Sequence, residues 1–71
     1  MKLDKTISYI SKKLREVRLD KRLTQAEVAK MVGTDTNYYA KIERGEATPS
    51  LKTFEKIVRA LKVRSSDILP F

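Results

Sequence analysis

Thr24 and Gly33 bracket a stretch whose residues leave it little choice of conformation. Thr24 is a favoured helix N-cap, and Glu27 three positions later can return a bond to the cap's own N–H, completing a capping box. Leu23 just before the cap and Val28 at the fourth helical position form the matching hydrophobic staple. Gly33 closes the helix, because the residue after a helix commonly turns left-handed, a conformation that glycine adopts without steric penalty. The spacing predicts a short helix over 25–32 with a tight turn behind it.

The rest of the chain reads in the same terms. Ile7, Ile10, Leu14 and Val17 recur at helical spacing and predict a first helix over about 6–21, with Lys12, Lys13, Arg15 and Glu16 in water. Asp35 caps a third helix over about 36–44, closed by Gly45. On it Tyr39 and Ile42 share one face, while Thr36, Asn37, Lys41 and Arg44 lie on more exposed sides. Thr48-Pro49-Ser50 marks a loop, and Ser50 caps a fourth helix over about 51–62 with the stripe Leu51, Phe54, Ile57, Val58 and Leu61. Val63 packs after it, and a short fifth helix over about 66–69 is stopped by Pro70. No segment alternates with a strand's period. The expected fold is all-α, with five helices in a single domain over 1–71.

Composition narrows the chemistry. The 71 residues contain no cysteine and no histidine, which removes thiolate nucleophiles, zinc fingers and the commonest neutral-pH acid/base and metal ligand. No cluster of Asp, Glu, Lys, Ser, Thr or Tyr stands out in their place, so an enzyme is not expected, and neither a cofactor nor a metal. Sixteen Lys+Arg against nine Asp+Glu give a formal net charge of +7, which favours an anionic partner. No apolar run approaches the roughly 20 residues of a membrane span. Met1-Lys2-Leu3-Asp4-Lys5 is charged with no apolar segment behind it, unlike a secretion signal. The expected location is the cytoplasm, at the nucleoid.

A basic domain with two short helices at a glycine turn points to double-stranded DNA. The major groove, roughly 12 Å wide, admits one helix and presents a distinct donor and acceptor pattern at each base pair. Thr36, Asn37 and Lys41 are suited to read it: Asn37 can pair bidentately with adenine, Lys41 can donate to guanine, and the Thr36 methyl can touch a thymine methyl. Tyr38 stands beside them as a fourth candidate base contact. Helix N-termini accept phosphate through free N–H groups and the positive dipole end, which nominates Thr24, Gln25 and Ser50 for the DNA backbone. Arg44, just past the reading helix, joins them. Lys12, Lys13, Lys56 and Lys62 read as solvated helix faces.

Residues from about 10 to 69 resemble the phage-repressor/Cro-like helix-turn-helix regulators, the XRE family. The resemblance is carried by Leu14-Arg15-x-Val17-Arg18, Leu23-Thr24-Gln25-x-x-Val28-Ala29, Gly33, Ile42-Glu43-x-Gly45, Pro49-Ser50, Leu61 and Asp67-Ile68-Leu69. It implies a compact five-helix DNA-binding domain in which the second and third helices form the helix-turn-helix. It assigns Gln25 to a phosphate contact and to support of the reading helix, and Thr36, Asn37 and Lys41 to base-reading positions. It also assigns Arg18 and Glu43 to a buried salt bridge between the first and third helices. Three positions depart from the usual pattern. Thr34 stands where an apolar residue is usual, which loosens the packing expected under the turn. Tyr39 stands where Ile or Val is usual, so a tilted helix or a partly exposed tyrosine is expected. Glu46 places an acid in a loop that is often basic, weakening a phosphate contact there.

Such domains gain affinity as dimers on two half-sites about one DNA turn apart, and Ile68, Leu69 and Phe71 are the expected dimer interface, the alternative being that this apolar end folds back onto the core and covers the first helix. The function implied is a sequence-specific transcriptional regulator, a repressor on a palindromic operator or an activator touching RNA polymerase. The alternative is an antitoxin-like interaction module that holds a cognate partner protein and binds DNA secondarily.

Overall fold

A computed structural model describes residues 3–71. Met1 and Lys2, part of the charged stretch Met1-Lys2-Leu3-Asp4-Lys5 read above, lie outside them. Four α-helices follow one another: α1 (Leu3–Asp20), α2 (Gln25–Val32), α3 (Thr36–Glu43) and α4 (Leu51–Leu61). The expected fifth helix is instead a single 3₁₀ turn, Ser65–Asp67. Only four residues separate Lys62, which ends α4, from Asp67, whose carboxylate accepts from the Arg64 N–H at 2.9 Å. So short a segment, stopped by Pro70, closes one tight turn rather than an α-helix.

Each N-cap read from the sequence makes its bond. The Glu27 N–H donates to Thr24 Oγ1 at 3.0 Å and the Thr24 N–H to Glu27 Oε1 at 2.8 Å, which closes the capping box. Asp35 accepts from the Tyr38 N–H at 2.7 Å, and Ser50 from the Thr53 N–H at 3.1 Å. The C-terminal ends are more uniform than the glycines suggest. All four helices finish with a residue at positive φ: Arg22 (58°), Gly33 (83°), Gly45 (75°) and Lys62 (58°). In each, the next N–H reaches back over the end of the helix: Leu23 to the Arg18 carbonyl, Thr34 to Ala29, Glu46 to Lys41 and Val63 to Val58. This is the Schellman closure, built twice on glycine and twice on a basic residue.

The core gathers Leu14 from α1, Val28, Ala29 and Val32 from α2, Tyr39 and Ile42 from α3, and Ile57, Val58 and Leu61 from α4. Ile68, beyond the 3₁₀ turn, completes it with no exposed surface. That corrects the expected dimer interface at this position. The turn folds Ile68 inward beneath the helices, while Leu69 is half-buried and Phe71 remains 78% exposed. Tyr39 is likewise fully buried rather than partly exposed. Among the described residues, no helix is long and apolar enough to cross a membrane.

Candidate nucleic-acid interface

The angle between α2 and α3 is held from behind by a buried ionic cluster. Arg18, on α1, donates from Nε to Glu43 Oε2 at 2.6 Å and from Nη2 to Glu43 Oε1 at 3.0 Å, a two-pronged fork. Its remaining prong, Nη1, donates to the Leu23 carbonyl at 2.8 Å, so one side chain fastens the α1–α2 turn and the end of α3 together. Gln25 Nε2 donates to Glu43 Oε1 at 3.1 Å. Two turns earlier on α1, buried Ser11 donates from its hydroxyl to the Ile42 carbonyl at 2.7 Å. Burial pushes the Glu43 carboxyl up. The Arg18 bonds outweigh it, helped by the Gln25 amide and the Arg18 charge, and hold Glu43 below the ordinary carboxylate range. Arg18 is raised in turn, chiefly by its bond to Glu43.

The Tyr39 hydroxyl lies buried beside this cluster and finds no partner in hydrogen-bonding geometry. Burial, and then the Glu43 carboxylate, push its phenol far upward, so it stays neutral. An unpartnered buried hydroxyl opposes folding. Tyr39→Phe is therefore expected to raise stability by about 1 kcal/mol, read as a higher midpoint in thermal unfolding. A loss of similar size would show that the hydroxyl bonds Glu43 in solution.

With its inner side anchored in this way, α3 turns Thr36, Asn37 and Lys41 to solvent, and Arg44 continues the row. Positions 37, 41 and 44 fall on one face by helical spacing. Tyr38 is half-buried and packs against the core, so only part of its ring remains available beside them. Arg44 is exposed but engaged: it donates to Glu46 at 2.8 and 3.2 Å. The Glu46 carboxyl is lowered first by that bond and also by Lys41, so the acid in this loop shields two cations of the exposed face.

The phosphate candidates sit at helix starts. Thr24 and Ser50 spend their side-chain oxygens on capping bonds, leaving the N–H groups of Gln25, Ala26, Leu51 and Lys52 without an acceptor inside their own helices. Gln25 is half-buried, its amide turned toward Glu43, which favours the supporting role. The orientation of its amide and the third prong of Arg18 carry no signal in the linear sequence. Both depend on how close α1 comes to α3. Among the described residues, no group of acidic residues is arranged to hold a metal ion.

The helix-turn-helix family profile matches residues 14–68. The cryptic phage CTXphi transcriptional repressor RstR of Vibrio cholerae is 34% identical over 59 residues, covering 83% of this chain and 53% of that protein. The chain thus spans about half the length of that relative. Control protein C.BamHI of Bacillus amyloliquefaciens is 38% identical over 60 residues, 83% of this chain and 74% of its own. In three dimensions the chain is similar to the restriction-modification controller protein C.AhdI from Aeromonas hydrophila. The TM-score is 0.85 at 30% identity, over 89% of this chain and 96% of the other. With its capped α2, its Gly33 turn and an α3 fixed from behind by Arg18, the chain belongs to the helix-turn-helix family.

Proposed function

We propose that the protein is a sequence-specific double-stranded DNA-binding transcriptional regulator. The observation that carries this reading is the two-sidedness of α3: Tyr39, Ile42 and Glu43 are buried, while Thr36, Asn37 and Lys41 stand exposed with no side-chain hydrogen bond or ion pair among the described residues. A rigid helix with a free polar face suits the major groove. The N-termini of α2 and α4 offer their unpaired N–H groups to backbone phosphates, with Gln25 steadying α3. Similarity to a phage repressor and to controller proteins supports the same role.

One domain reads few bases, so the working form is a homodimer on a palindromic operator. Leu51 (84% exposed), Phe54, Val58 and Leu69 line an apolar groove on α4, and with Phe71 they supply its interface in place of Ile68. Selection of bound duplexes from random DNA tests both points. An inverted repeat with half-sites about 34 Å apart is expected. Recovery of no preferred sequence would overturn the proposal. Lys41→Ala should weaken binding to the selected duplex by about 1–3 kcal/mol and far less on random DNA, in side-by-side titrations. Equal losses on both would move Lys41 from base reading to phosphate contact.

A further inference from the structure

The first helix carries a row of charge that neither the core nor the reading face uses. Lys5, Ser8, Lys12 and Arg15 follow one another at helical spacing, and all are exposed. Among the described residues, neither Lys12 nor Arg15 has an ion-pair or hydrogen-bond partner. The opposite flank of α1 differs. There Lys13 is paired with Glu16 at 3.7 Å and lies over the Tyr9 ring.

The unpaired flank borders a groove of about 450 Å³ between α1 and the end of α3. Ser8, Lys12 and Arg15 form one wall, and Arg44 and Gly45 the other. Glu43 at its floor is already neutralised by Arg18, so the groove presents Lys12 and Arg15 unpaired and Arg44 held only by an exposed, weak pair with Glu46. Arg44 also stands in the exposed row of Asn37 and Lys41, which places the groove along the border of the reading face.

We infer that this groove, through Lys12 and Arg15 of α1 together with Arg44, grips the DNA sugar-phosphate backbone alongside the reading helix. The inference rests on the DNA-binding reading above and adds a second phosphate track beyond the starts of α2 and α4. An acidic protein fits the same charge less well. Protein interfaces are depleted in lysine and centre on aromatic or aliphatic anchors, whereas among the described residues the only apolar side chain bordering this groove is half-buried Ile7. A phosphate strand asks for what the groove offers: spaced, flexible cations and a hydroxyl.

The test compares the 71-residue chain with Lys12→Ala/Arg15→Ala on the duplex recovered by selection, titrated across salt concentrations. Both residues are exposed and alanine favours helix, so the double variant keeps its fold, as circular dichroism melting will verify. Loss of two phosphate contacts should flatten the log–log salt slope by about 1.8, with the preferred sequence unchanged. The matched variant Lys13→Ala/Lys56→Ala removes the same charge elsewhere and should keep the wild-type slope. Equal slopes for all three proteins would overturn the second track while leaving the DNA reading intact. So would equal flattening in both variants, which would reduce the effect to net charge. A slope unchanged on DNA together with lost binding to an acidic protein would assign the groove to that partner. A wild-type chain that binds no duplex would overturn both readings.

Discussion

Replacing Glu43 with alanine is expected to cost about 3–5 kcal/mol of folding stability, because it strands the Arg18 guanidinium in a buried site. Arg18 is only 8% exposed, and two of its three donated bonds go to Glu43. A domain of this size holds a net stability of only about 3–5 kcal/mol, so the variant should be largely unfolded at room temperature. Urea unfolding followed by circular dichroism measures it. A midpoint close to wild type would mean that water reaches Arg18 and the pair is not structurally committed. The double change Arg18→Met/Glu43→Leu should recover most of the loss, since it removes both charges and fills the same space.

The same pair sets an acid limit. The Glu43 carboxyl is lowered in the folded state, so the folded protein binds its proton less readily than the unfolded chain does. The stability it contributes is therefore full above the unfolded carboxylate value, about pH 4.3, and is lost as pH falls through the lower folded value. Stability should decline from about pH 4 downward, and the decline should be shallower in the doubly apolar variant.

The second large effect is expected at Ile68. Truncation to alanine opens a cavity in the core and should cost about 2–5 kcal/mol, independent of protein concentration. Phe71→Ala should leave the unfolding midpoint of the dilute protein unchanged and weaken self-association, measured by sedimentation. If the loss at Ile68 disappeared at high protein concentration, the residue would belong to an interface after all. The two substitutions thus divide the C-terminal segment into a part that folds the monomer and a part left outside.

Much of this architecture is written in local signals. Thr24, Asp35 and Ser50 act through bonds to residues three positions away, so sequence spacing alone locates them. Gly33 and Gly45 are equally plain. Arg22 and Lys62 are not, because a left-handed residue with a side chain has no composition signal of its own. The clue lies one residue later, in Leu23 and Val63, which pack on the core and complete the closure. Ile68 is ambiguous in the sequence, between an interface and the core, for a different reason. A hydrophobic residue near Leu69 and Phe71 looks like one exposed patch until the 3₁₀ turn gives each a different direction. The burial of Tyr39 beside Glu43, and the groove between Lys12 and Arg44, depend on packing between segments distant in the chain. Thr34 is half-buried beyond Gly33 and hands its N–H to Ala29, so the turn closes through its backbone whatever its side chain is.

The third prong of Arg18, on the Leu23 carbonyl, bears on how the two-helix unit can be reused. An excised peptide carrying only α2, the Gly33 turn and α3 would keep every residue proposed to touch bases yet lose the strut that sets their angle. Its Glu43 would be left facing water and Tyr39 would lose its cover. A graft of this specificity onto another scaffold must therefore transfer α1 with the motif, or supply an arginine at the equivalent point in space. The portable unit is the braced trio of helices, not the pair.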